Sequence, residues 1–192
     1  GSMATALIIF PVADIASQLI IDKKVDRKKV RYTSALAMPY GAYAYLSVQS
    51  GNVVGEYISN HPLLMAALGP NLIGLGFNLL FFTNNTVGER SGYQLKELGK
   101  HYASLCNDLF FERTRTAYQT LKEKIFSCVL GKEYAYSALG TVTFWNAFQY
   151  ANYTYIPKEM QTPATLGVAL GWTVLLSLWS LMGRKKSDSQ LI

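Results

Sequence analysis

Long stretches without a formal charge constrain this chain more than any other feature. Charge-free intervals cover 32–55, 57–88, 134–157 and 160–183, and a fifth apolar stretch, 3–21, carries Asp14 as its one charge. A hydrocarbon core about 30 Å thick needs roughly 20 mostly apolar helical residues to cross it. Soluble domains carry about 25% charged residues, whereas this one carries 16%. The intervals predict an all-α fold: a polytopic transmembrane helical bundle of about five spans, forming a single membrane domain over 1–192. The expected spans are about 3–21, 33–55, 62–82, 134–156 and 163–183. A water-soluble globule, collagen, disorder and a disulfide-rich secreted scaffold are all excluded.

The second and third spans contain Pro39 and Pro70. An internal proline frees a carbonyl and kinks a helix, which membranes tolerate when neighbouring helices satisfy the freed group. The first stretch lacks the basic region and small-residue cleavage site of a signal peptide. Gly1-Ser2 before Met3 fits either a tag scar or a trimmed presequence.

The segment 92–130 is different. Leu95, Leu98, Tyr102, Leu105 and Leu109 recur at helical spacing with Lys96, Glu97, Lys100 and Asp108 between them, and Tyr118, Leu121, Ile125 and Cys128 resume the stripe. This predicts one broken amphipathic helix or two. The segment lies along the membrane interface or against a partner, or forms a helical hairpin packed on the spans.

Charge placement tests the topology. With the basic turn 22–31 on the inner side and five spans threaded alternately, 17 of the 18 Lys and Arg residues share one face, and only Lys158 is opposite. The positive-inside bias therefore explains the net charge of +6 better than nucleic-acid binding does. It favours an outer N-terminus and an inner C-terminus. Lys23, Lys24, Arg27, Lys28, Lys29 and Arg31 in the turn, with Arg184, Lys185 and Lys186 in the tail, are the candidate lipid-headgroup contacts. Anionic lipid such as cardiolipin is the expected bound molecule.

Polar groups inside the spans supply the other candidates. Asp14, Ser17 and Gln18 share a helix face, and a carboxylate in hydrocarbon must face protein or a wet cavity. It is either a pore-lining, proton-handling group or a hydrogen-bonded residue that fixes helix contacts. Asn71 and Asn78 lie seven residues apart, and Asn146, Gln149 and Asn152 follow at threes. Such amides can line a channel or bond across helices, where each contributes on the order of 1 kcal/mol. Gly167 and Gly171 form a GxxxG that permits close helix approach. Cys106, Cys128, His61 and His101 show neither CxxC nor metal-ligand spacing, so no metal or cofactor is expected. GxSxG, HExxH, Walker and GxGxxG patterns are missing, and an enzyme is not expected.

The run 144–161, FWNAFQYANYTYIPKEMQ, resembles the C-terminal signature of the Mpv-seventeen/peroxisomal membrane protein (22 kDa) family, with Trp145, Gln149, Asn152-Tyr153 and Ile156-Pro157 in its order. Trp172 and Leu176-Ser177 resemble the family's closing positions. Asp14 with Ser17-Gln18, Arg27, Arg31, Pro39, Tyr43 and Tyr45 are similar to its first two spans and basic turn. The chain departs from the pattern at Asn146, where the family has Pro, at Gln161, where it has a basic residue, and at Ala13, where it has Gly. A charged pair at the start of the third span is missing, and 92–130 is longer than the family norm.

The resemblance implies a small helical protein of an organellar membrane, the mitochondrial inner membrane before the peroxisome. The expected role is a non-catalytic accessory subunit of a large inner-membrane complex of respiratory-chain or ATP-synthase type. It would contact other membrane subunits and lipid, and no nucleic acid. The alternative is a stand-alone channel or small-solute pore.

Overall fold

The computed structural model describes residues 2–21, 23–112, 116–129 and 131–188, with side chains for 5–21, 23–112, 116–129, 131–176, 178 and 179. Every regular element among the described residues is helical. Helix α1, Ser2–Ile21, is joined by a short turn to α2, Arg27–Tyr57. Asp26 sets the start of α2, because its carboxylate accepts from the Lys28 backbone N–H at 2.8 Å and so satisfies one of the free donors at a helix N-terminus. The helix begins six residues before the expected span, with the basic residues forming its first turn and Pro39 inside it.

The third apolar interval is two helices in series, α3 (Pro62–Leu68) and α4 (Pro70–Arg90). Proline lacks the N–H that would continue α3 but suits a first helical turn, so the expected kink at Pro70 is a break at Gly69.

Helices α5 (Leu95–Phe110) and α6 (Ala117–Lys124) pack on each other, and a 3-10 turn, Phe126–Cys128, follows. Thr116 and Gln119 close a reciprocal capping box on α6, satisfying two end donors together. The buried stripe of α5, Leu98 and Leu105, faces this protein's own helices, and Leu98 meets Tyr32, Val87 and Cys128. Of the two arrangements open for 92–130, the described part adopts the packed hairpin.

Helices α7 (Gly131–Gly140) and α8 (Asn146–Tyr155) are joined by a π-helical turn, Thr141–Trp145. Helix α9, Lys158–Asp188, returns along α1. The main core lies where α1, α2, α4 and α9 meet, with Phe10, Tyr40, Phe81, Phe82, Leu166 and Trp172 at its centre.

By length and apolarity, one described helical stretch qualifies to cross a membrane, Pro62–Arg90 with 29 residues; Thr5–Ile21 is apolar but shorter. The five expected spans are therefore not all seen by that criterion. The physical reason is visible in the burial pattern. Interior positions carry many polar groups, among them Asp14, Gln18, Asn78, Gln149 and Thr165, while Ile8, Ile20, Leu46, Val53 and Leu72 face outward. Inward polar residues lower the average hydropathy of a helix whose outer face is apolar.

The close approach that Gly167 and Gly171 permit is not made among the described residues, since a Cβ at either position would meet nothing within 4 Å. The close helix approach lies instead at Gly51 and Gly69. A Cβ on Gly69 would fall 2.5 Å from the Gly51 backbone nitrogen, and one on Gly51 would strike the Tyr153 ring. Tyr153 donates to the Val48 carbonyl at 2.9 Å across this seam.

Candidate functional site: two voids and a buried ion pair

Asp14 is held from several directions. Lys29 Nζ lies 3.4 Å from its Oδ1, with both side chains over nine-tenths buried. Gln18 Nε2 donates to its Oδ2 at 2.9 Å, and Gln18 Oε1 accepts from the Asp26 backbone N–H at 2.6 Å. The carboxylate thus closes the α1–α2 hairpin. Of the candidate headgroup contacts, Lys29 is the exception: it turns inward to neutralise Asp14 and is 6% exposed. Lys23, Lys24, Arg27, Lys28 and Arg31 are exposed, whereas the side chains of Arg184, Lys185 and Lys186 lie outside the described residues. A charge inside an apolar bundle requires a partner, and the antiparallel α1–α2 hairpin supplies it.

A central cavity of about 70 Å³ sits where α1, α2, α4, the π turn and α9 converge. That volume holds a few water molecules. Its walls are largely aromatic, with Phe10, Tyr40, Phe77, Trp145 and Trp172, and Asn78 and Thr141 supply polar groups. Asn78 donates to the Thr141 hydroxyl at 2.9 Å, and that hydroxyl donates to the Ser137 carbonyl. The π turn brings both Thr141 and Trp145 to the wall. Such turns add a residue to a helix and re-aim side chains, often at functional sites.

A second void, about 490 Å³, opens at the α1–α2 turn between Gln18, Lys24, Asp26, Arg27, Lys29 and, on the opposite wall, Glu89 and Tyr93. The two voids lie along the same helices. Phe10, Asp14 and Gln18 are spaced by four on one face of α1; Phe10 lines the cavity, Gln18 lines the turn-end pocket, and Asp14 stands between them. On α2, Tyr40 lines the cavity and Lys29 the pocket. At 1.5 Å per residue these separations are about 12 Å on α1 and about 16 Å on α2. The Asp14–Lys29 pair therefore occupies the space between the voids.

Asn84 makes a node in the same zone. Tyr102 donates to its side-chain oxygen at 2.6 Å, its amide donates to the Tyr40 hydroxyl at 3.0 Å, and Tyr32 donates to its carbonyl at 2.7 Å. This node ties α5 to α2 and α4.

The other expected polar residues serve separate purposes. Gln149 and Asn152 bond the Thr165 hydroxyl at 3.2 Å each, and Asn152 also donates to Gln149 and to the Gln161 carbonyl. They clasp α8 to α9. Asn71 is buried with its side-chain oxygen unpartnered, and the Asn146 side-chain oxygen is likewise buried and unpartnered. Of Asp14, Gln18, Asn71, Asn78, Asn146 and Gln149, Asn78 lines the central cavity and Gln18 the turn-end pocket. Among the described residues, no cluster of His, Cys, Asp and Glu could hold a metal ion.

Lys29, Thr141, Asn84 and Thr165 escape a reading by residue type, because none is unusual alone. Spacing from the turn does not single out Lys29 either, since Asp14 lies eight residues before the turn at 22–26 and Lys29 three after it, so the pairing emerges only from the folded hairpin.

A small all-helical protein with an apolar exterior, buried polar locks and voids inside the bundle is the class defined by this fold and site. Residues 113–177 match the model of the Mpv17 / PMP22 family, and the match contains the π turn, α8, the α8–α9 clasp and Trp172. That family's members are peroxisomal or mitochondrial inner-membrane proteins. No curated protein and no solved structure matches the chain. Nothing in the family match speaks for a respiratory-chain or ATP-synthase subunit.

Proposed function

We propose that this chain is a non-catalytic, channel-like integral protein of an organellar membrane, held closed here by the Asp14–Lys29 pair. The position of that pair between two voids carries the reading. Five helical segments cross the bilayer: α1, α2, α3 with α4, α7 through α8, and α9. Each has 20 or more residues, enough for about 30 Å at helical rise. Apolar residues such as Ile8, Ile20, Leu46, Val53 and Leu72 meet lipid, and the polar groups face inward. A solute passes from the turn-end pocket to the central cavity once the ion pair parts.

The test is planar-bilayer recording of purified protein. Asp14→Asn combined with Lys29→Gln removes both charges while keeping polar groups of similar size, so the variant conducts with a higher open probability than the wild-type chain. Silent bilayers for both proteins, with circular dichroism showing both folded, would reject the channel.

A further inference from the structure

We infer that the tip of the α5–α6 hairpin is an interfacial anchor, an aromatic knob that docks into the lipid headgroup layer of the membrane its own spans cross. The inference rests on the membrane reading and does not need the channel to conduct. The direction of the hairpin carries it. Helix α4 reads LLFF up to Phe82 and TNNTVGER from Thr83 to Arg90, so its polar last two turns leave the hydrocarbon near Thr83. Its length agrees. The stretch Pro62–Arg90 has 29 residues, about 43 Å at helical rise against a core of about 30 Å, so its end projects beyond the core.

At that projecting end the chain reverses. Gly92 and Tyr93 are consecutive left-handed residues with φ 64° and 63°, and the Tyr93 N–H donates back to the Gly88 carbonyl at 2.6 Å. Helix α5 then runs back beside α4: Leu98 packs with Val87, and four residues on, Tyr102 donates to Asn84. Each turn of α5 therefore leads towards the bilayer, not away from it. Tyr102 already stands at the polar boundary of α4, and Phe110 lies about 12 Å further along the helix.

Helix α6 returns antiparallel to α5. Lys124 Nζ donates to Ser104 Oγ at 2.9 Å and lies 3.7 Å from the Asp108 carboxylate, and the Cys128 carbonyl accepts from Thr86 on α4. The base of the hairpin thus sits on the end of α4, and its tip is where α5 ends and α6 begins. There Phe110, Phe111 and Tyr118 are 77%, 78% and 67% exposed. Among the described residues of 109–118, Glu112 is the one with a charge, and Asp108 just behind them is answered by Lys124. Exposed rings clustered at a protruding end, aimed at a bilayer, fit a soft layer better than a pocket. Phe and Tyr rings suit the headgroup region, where an apolar body and a polar tip are both accommodated, and interfacial helices bury such side chains about 5–10 Å deep.

The experiment uses the full chain, alone in phosphatidylcholine nanodiscs. In a Cys106→Ser background, with Cys128 buried, single cysteines are placed at three exposed positions by Phe111→Cys at the tip, Lys122→Cys further back on α6, and Ile8→Cys on the outer face of α1. Each carries a nitrobenzoxadiazole fluorophore, and lipids brominated at shallow or deep acyl positions quench it by contact. Quenching at position 111 is several-fold stronger than at 122, and shallow bromines are more effective there than deep ones. The Ile8→Cys label is quenched as a lipid-facing control. Equally weak quenching at 111 and 122, with position 8 quenched, would overturn the anchor and leave the membrane reading standing; a tip that meets a protein partner instead gives this result, because no partner is present. Loss of quenching at position 8 as well would overturn both. A silent bilayer recording leaves the quenching result untouched, so channel and anchor fail separately.

Discussion

Gly69 and Gly171 are the same residue type in very different surroundings, and they show what a sequence motif can carry. GxxxG on α9 reports a capacity for close approach, and no neighbour among the described residues uses it. The approach that exists joins Gly51 to Gly69, residues on separate helices whose pairing depends on tertiary structure. Gly69→Ala forces a Cβ against backbone that cannot rotate away, and overpacking of that kind costs about 1–3 kcal/mol. Gly171→Ala places its methyl in open space on a helix, so stability is unchanged or rises by up to about 1 kcal/mol. Denaturation in detergent followed by circular dichroism distinguishes these outcomes.

The same scale governs the buried pair. Asp14→Asn alone leaves Lys29 charged and buried, and losses of about 3–5 kcal/mol accompany the removal of one partner. Adding Lys29→Gln restores a substantial part of that stability. A double-mutant cycle on the unfolding midpoint checks it; additive losses would mean that the two side chains do not interact. Asp14 is legible as a group that needs a partner, but Lys29 is lost among six similar basic residues, since only the hairpin register singles it out.

Helices were the more legible level. The charge gaps fall inside α1, α2 and α9, but α2 begins six residues early among basic residues and α9 runs five residues past its expected span at each end, because a helix can continue through charged residues once it has left the apolar stretch. The π turn was not legible, since Thr141–Trp145 has no composition that distinguishes it from ordinary helix. The amphipathic stripe of α5 was clear, but the stripe alone does not say whether lipid or protein covers it.

That hairpin has its own pH dependence. Burial holds the His101 imidazole below its usual range, and the nearby positive charges of Lys124 and Arg90 act in the same direction, while a hydrogen bond to the Lys124 backbone opposes them. The ring packs edge-on to Tyr102, and its Nε2 is buried without a partner. A depressed folded value means that the neutral ring favours docking. The stabilising contribution is complete above the ordinary histidine value of about 6.5 and is lost as pH falls through the lower folded value. Hydrogen exchange across α5 and α6 is therefore faster at pH 5 than at pH 7.5, relative to α4, and His101→Gln flattens the difference.

At the scale of the whole molecule, the decisive relation is between hydropathy and burial. A helix whose inward face holds Asp14, Asn78 or Gln149 looks less apolar on average than one buried among leucines. Five-span threading consequently rests on charge asymmetry and on the outward-facing side chains more than on any helix's mean hydropathy. It makes a geometric commitment that labelling can read. The α1–α2 turn and the α5–α6 hairpin must share one side of the membrane, with the α2–α3 and α8–α9 connections opposite.

Cys106 on α5 is exposed and Cys128 is buried, so the native chain carries one accessible reporter for the hairpin side. Cysteine introduced at Ser59, between α2 and α3, in a Cys106→Ser background reports the other side. In sealed vesicles of uniform orientation, a membrane-impermeant maleimide labels Cys106 or the cysteine at position 59, but not both, until detergent is added. Labelling of both in intact vesicles would place the two loops on one side and remove α3–α4 as a span. Because α3–α4 is the stretch that qualifies on length and apolarity, that outcome would remove the firmest of the five crossings and the threading built around it.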